Sequence, residues 1–166
     1  MKRIIMACDL QHAPKALQES ALSFEPFLPN SRSVAELFYS AYHETTDDEG
    51  ESLADWQREL RETADGKYGP LIPGLSFQLQ KDDHPIGAVV TSTFQELPLL
   101  LFVVMGAAFK GNGLSKLLMK EVIQRAKGMG LTHLYLVVTV ENQPAYKLYE
   151  ACGFFFAGES WADLSP

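Results

Sequence analysis

The sequence predicts a mixed α/β domain, with a mostly antiparallel central sheet and helices on both faces. Three observations carry this reading. Leu75, Phe77 and Leu79 alternate with Ser76, Gln78 and Gln80, then pass through the polar turn Lys81-Asp82-Asp83-His84 into the apolar stretch 85–91, the pattern of an antiparallel hairpin. Two runs, 97–105 and 132–140, are almost wholly apolar, and strands apolar on both faces must be covered on both. Between them Leu114, Leu118, Val122 and Ala126 recur every fourth residue, flanked by Met119 and Ile123, while Lys116, Lys120 and Lys127 point away, so a long amphipathic helix links the strands.

The remaining elements follow in order. Ile4, Ile5, Met6 and Ala7 form a short first strand; Pro14, Pro26 and Pro29 punctuate the next stretch, which holds room for one short helix over 15–23. Ser33 with Glu36 three residues on has the form of a capping box, and Val34, Leu37, Phe38 and Ala41 share a face, predicting a helix over 33–43. The acidic run 44–51 reads as a solvated loop, and a second helix over 52–64 turns Leu53, Trp56 and Leu60 inward. Gly128 and Gly130 end the long helix. A short helix over 144–152 carries Pro144 in its first turn and Gly153 past its end, and 154–157 is a last strand.

The chain's 166 residues, 46% hydrophobic and 21% charged, fit one domain spanning 1–166 around a single core. A net charge of −7 argues against nucleic acid, whose phosphates require the opposite balance. No apolar run reaches the length of a membrane span and the start lacks a signal-peptide pattern, so a soluble cytoplasmic protein is expected. Cys8 and Cys152 are too isolated for a disulfide framework, and His12, His43, His84 and His133 lack metal-ligand spacing, so no metal is expected.

The chemistry concentrates where the first apolar strand meets the long helix. Val103-Val104-Met105 leads through Gly106-Ala107-Ala108-Phe109-Lys110-Gly111-Asn112-Gly113 into Leu114 and Ser115, a turn whose backbone can approach a ligand and which opens on a helix N-terminus: a phosphate cradle. Lys116 stands where a dinucleotide fingerprint needs its third glycine, and the Gly-Lys-Ser/Thr of a P-loop is missing. Downstream, a strand ends at Asn142, followed by Ala145, Leu148-Tyr149-Glu150 and Gly153-Phe154.

These two segments, in this order and spacing, resemble the GNAT superfamily of acetyl-CoA-dependent N-acetyltransferases, the likeness covering roughly 97–157. Lys110 stands for the usual Arg or Gln and Ser115 for Gly or Ala, but charge and small size are kept. The resemblance implies a sheet splayed between its two central strands and direct transfer from acetyl-CoA to a primary amine of a small molecule or protein, the alternative being a non-catalytic acyl-CoA sensor or scaffold. It implies that Lys110, Gly111, Asn112, Gly113, Leu114, Ser115 and Asn142 hold CoA, that backbone N–H groups near Val104 and Met105 hold the acetyl carbonyl, and that Tyr149 protonates the leaving thiolate, with Tyr146 as substitute. Glu96 is the candidate base, with Glu141, His84 and His133 open to the same argument. Only 13 residues follow Gly153, where the family usually has two strands; the shortened pair leaves room for a homodimer in which another chain completes it. The net charge and the acidic run favour a cationic acceptor.

Overall fold

The computed structural model describes residues 1–11 and 22–164. Strands β1 (Arg3–Asp9), β2 (Ser23–Pro26), β3 (Phe77–Lys81), β4 (His84–Phe94), β5 (Leu97–Met105), β6 (His133–Thr139) and β7 (Phe154–Gly158) form one sheet in the order β2-β3-β4-β5-β6-β1-β7. Every neighbouring pair is antiparallel except β5 and β6. The apolar run from Leu97 thus takes the central place its two buried faces require.

Helices α1 (Arg32–Tyr42) and α2 (Leu53–Ala64) cover one face, and α3 (Leu114–Gly128) and α4 (Gln143–Ala151) the other. Successive β4 residues divide between them: Val89 joins the core beneath α3, whereas Ala88 and Val90 join the core beneath α1. Gly87 allows α3 to sit close, since a Cβ there would meet Met105 Cε at 2.9 Å and Leu118 Cδ1 at 3.0 Å. On the opposite face Phe38 is fully buried against Trp56 and Phe102, with ring centroids 5.5 and 5.3 Å away. None of the described helices is long and apolar enough to cross a membrane.

Several expectations are corrected. The hairpin is present, but Leu75 belongs to a 3-10 turn, Pro73–Leu75, before β3 begins, and Asp82 and Asp83 make the reversal with φ of +52° and +61°, the conformation whose twist matches a two-residue hairpin. The capping box lies one helix later. α1 starts after Ser31, whose side chain makes no cap bond, and Glu36 pairs with Arg32; Ser52 and Asp55 instead exchange both bonds at the start of α2. The helix expected over 15–23 lies mostly outside the described residues, and Ser23 begins the unforeseen edge strand β2.

Among the described residues β7 is the one strand after α4, and β1 inserts between β6 and β7, pairing Met6 with Leu136 on one side and with Phe156 on the other. This sheet needs no strand from a second chain to join β6 to β7.

Candidate active site

Val90 pairs with Phe102 and Thr91 with Leu100, so Leu101 is an extra residue on β5. A bulge bends its strand, and this one follows directly on Leu100, the last β5 residue paired with β6. Beyond that point the two parallel strands part. The opening is a cleft of about 1510 Å³, walled by β5 from Leu100 to Met105 and by β6 from Leu136 to Thr139. Past the bulge β5 has a ladder partner on one side only, so its cleft-facing backbone groups are available to a ligand.

At one end of the cleft, β5 runs through a 3-10 turn, Ala107–Phe109, into the glycine loop. Gly111 and Gly113 have φ of +82° and +76°, and nothing lies within 4 Å of a Cβ built on either, so the loop shows bare backbone to the cavity. Gly113 is the N-cap of α3 and offers no side-chain cap, leaving the first N–H groups of the helix without an intrahelical acceptor. Lys110, Gly111, Gly113 and Ser115 line the cleft, as do Val104 and Met105; Asn112 and Leu114 do not, and Leu114 packs toward the core. Lys116, expected to point away, reaches the lining too. The Lys110 ammonium donates to the Ala41 carbonyl at 2.6 Å, where a cation meets the negative end of α1 and ties loop to helix.

Beside α3, on the same face of the sheet, lies α4. Asn142 is its N-cap, accepting from the Ala145 N–H at 3.4 Å, and its amide nitrogen donates to Asp47 Oδ2 at 2.8 Å. One residue therefore starts the helix and pins the acidic run onto it. Tyr149 is half-buried in the cleft wall; burial, with the Asp47 carboxylate adding to it, pushes its phenol up to about 12, so it keeps its proton at neutral pH. A second phenol, Tyr42 at the end of α1, lines the same cleft, its ring stacked 4.9 Å from Trp56 at 15°, and burial again raises its pKa. Farther along, Glu59 accepts from Tyr68 at 2.7 Å and from Lys67 at 2.7 Å.

The four candidate bases stay away from the cleft lining. Glu96 sits with Gln95 on the exposed tip of the β4–β5 hairpin, both at positive φ, while His84 lies at the far end of β4, His133 stacks on Tyr135, and Glu141 is exposed. The cleft residues that sequence reasoning did not single out are Tyr42, which stands at the end of its helix and outside the apolar stripe, Trp56, which reads as an inward-facing core position, and Asp47, which is not distinguished from the rest of the acidic run.

Residues 32–154 match the Acetyltransferase (GNAT) family. The chain belongs to that family. Among its relatives, N-acetyltransferase 8 of Rattus norvegicus is 38% identical over 96 residues, covering 58% of this chain and 40% of the relative. The [ribosomal protein bS18]-alanine N-acetyltransferase of Salmonella typhimurium is 28% identical over 80 residues, covering 48% and 54%. These alignments span about half of each relative. The crystal structure of a GCN5-related N-acetyltransferase from Sphaerobacter thermophilus superposes with a TM-score of 0.71 at 17% identity, covering 94% of this chain and 48% of that one, a likeness of fold. In this GNAT chain the family match reaches from α1 through the first residue of β7 and so leaves β1, the strand that completes the sheet, outside it.

Proposed function

We propose that this GNAT protein is an acetyl-CoA-dependent N-acetyltransferase that transfers the acetyl group directly to an amine of a small molecule or protein within a ternary complex. One observation carries the reading: the bare loop at the start of α3 and the protonated phenol of Tyr149 open onto the same cleft, at the parting of β5 and β6. Acetyl-CoA, when bound, supplies the reactive thioester. The residues present fit it, because Gly111 and Gly113 leave room for a diphosphate to approach the N-terminus of α3, with Ser115 and Lys116 beside it to donate.

Of the two neighbours, Val104 turns its N–H toward Ala88 of β4, so the backbone N–H of Met105 is the one that donates to the acetyl oxygen as negative charge develops there. The neutral acceptor amine forms the new C–N bond, the C–S bond breaks, and Tyr149 gives its proton to the departing sulfur; the proton released by the nitrogen returns to the phenolate. Asn142 fixes the start of α4 and so the helix that carries Tyr149. The acidic run on the cleft wall supports a cationic acceptor, drawn in by long-range attraction.

Thiol release from acetyl-CoA over a panel of amines tests the reading. Turnover with at least one amine is expected. CoA binding without turnover on any amine would instead support the sensor reading, with which the capture of Lys110 by Ala41 is also compatible.

A further inference from the structure

The carboxylates of residues 44–51 are not equivalent. Asp48 is consumed by the loop itself: its oxygens accept from the Glu44 N–H at 2.7 Å and the Gly50 N–H at 2.8 Å, and His43 faces it at 3.7 Å. Glu49 faces Arg3 at 3.7 Å, Glu44 faces His43 at 3.9 Å, and Glu51 accepts from the Glu49 N–H at 3.1 Å. Among the described residues Asp47 has neither a cation nor a backbone amide; it accepts only the neutral Asn142 amide. That bond crosses from the α1–α2 loop to α4 and holds the Asp47 carboxylate on the cleft wall, half-buried.

Two neighbours define what this charge suits. Tyr42 and Tyr149 both lie in its field, which helps keep both phenols protonated. Tyr42 stacked on Trp56 adds an aromatic wall to the same cavity, and an aromatic surface beside a carboxylate is the chemistry that recognises an ammonium ion. A carboxylate without a base's task favours the protonated form of a neighbouring amine, whereas the attacking nitrogen must be neutral, so Asp47 suits a nitrogen of the acceptor that stays protonated.

We propose that Asp47, held by Asn142 and close to Tyr42, which stacks on Trp56, is a specificity-determining residue that binds a second, non-reacting ammonium of the acceptor, so that this transferase selects diamines over monoamines. The proposal rests on the acetyltransferase reading of the cleft, but its test measures binding and is independent of turnover.

The test is calorimetric titration of 1,4-diaminobutane and n-butylamine into the full chain, with and without saturating CoA. At least a tenfold preference for the diamine is expected in the parent. Asp47→Asn retains an oxygen for the Asn142 amide but loses the charge, and its preference should fall to near one. Asp83→Asn makes the same charge change on the β3–β4 hairpin and should keep the parental preference. Asn142→Ser keeps a capping side chain but is too short to hold Asp47, so its preference should drop severalfold. Far-ultraviolet circular dichroism and thermal melting confirm that each variant is folded. Equal affinity of the parent for the two amines, no detectable diamine binding, or a preference surviving in folded Asp47→Asn or unchanged in Asn142→Ser would each overturn the proposal. Diamine binding without thiol release would count against the transferase reading while leaving the subsite standing.

Discussion

Replacing Gly113 with valine separates the stability of the glycine loop from its use. The residue sits at φ +76° and ψ 2°, so any L side chain there incurs the left-handed penalty of about 1–2 kcal/mol, at the upper end for a β-branched one. No clash adds to it, because nothing lies within 4 Å of the new Cβ. At roughly 2–4 °C per kcal/mol for a chain of this size, the melting temperature should fall by about 2–8 °C and the protein should remain folded. CoA should fare far worse. A diphosphate oxygen must come to about 2.9 Å from a backbone nitrogen, and the valine methyl groups would fill the open space through which it approaches. Calorimetric titration of CoA into the variant should therefore show binding abolished, although the melt shows a native fold. Gly113→Asn sharpens the comparison: asparagine tolerates this backbone region, so it should recover most of the stability while still obstructing the ligand. A folded Gly113→Val protein that held CoA as tightly as the parent would refute the placement of the diphosphate.

Tyr149→Phe should leave CoA affinity unchanged and lower turnover by roughly 10²–10⁴-fold, the usual effect of removing a general acid; unchanged turnover in a chemistry-limited assay would move the role to Tyr146 or water. The same substitution has a signature in alkali. With the native phenol at about 12 against an ordinary 10, its stabilising contribution is complete below pH 10 and is lost between about pH 10 and 12, so denaturant melts of Tyr149→Phe should decline less over that interval. Neutralising Asp47, Asp48 and Glu49 together should flatten the fall of the apparent second-order rate constant for a cationic amine as salt rises; a fall equally steep in the variant would exclude steering by this loop. Burial holds the Cys8 thiol at about 11 and raises that of Cys152, so neither should react with a disulfide reagent at pH 8 until the protein is unfolded in guanidinium, and rapid native labelling would contradict their burial.

What could be read in advance was whatever rests on local chemistry. The bounds of β5, the helix behind it and the glycine loop between them follow from apolar runs and a 3.6-residue stripe, patterns that tertiary packing reinforces. The family signature around Tyr149 was legible for the same reason, as a contiguous segment. Non-local features were not. Ser33 has the spacing of a capping box, yet the backbone enters α1 two residues earlier, and nothing between Pro29 and Val34 signals where the chain turns. The bulge at Leu101 falls within an unbroken apolar run, so the point at which β5 leaves β6 has no sequence marker. Asp47 and Asp48 are adjacent and chemically identical in sequence, and only long-range partners distinguish them: Asp48 closes its own loop, whereas Asp47 reaches α4. Glu96, the candidate base, directly precedes β5 in sequence, but that entrance is a hairpin tip at the opposite end of the strand from Met105 and the loop.

The insertion of β1 between β6 and β7 has a kinetic consequence. Cys8 Sγ donates to the Cys152 carbonyl across 144 residues of sequence, and the whole β1 ladder consists of pairings of comparable reach. Such contacts are reached late, because the entropy of closing so long a loop must be met before any ladder bond is gained. A nascent chain must therefore carry Arg3–Asp9 unpaired until His133–Thr139 emerges, and Phe154–Gly158 must wait in turn for that ladder. Throughout that interval the apolar strand Ile4-Ile5-Met6-Ala7 presents an open edge, the template on which misassembly begins. The packing of α4 against the face shared by β6 and β7, and with it the seating of Tyr149, is thus tied to the pairings of longest reach in the sheet.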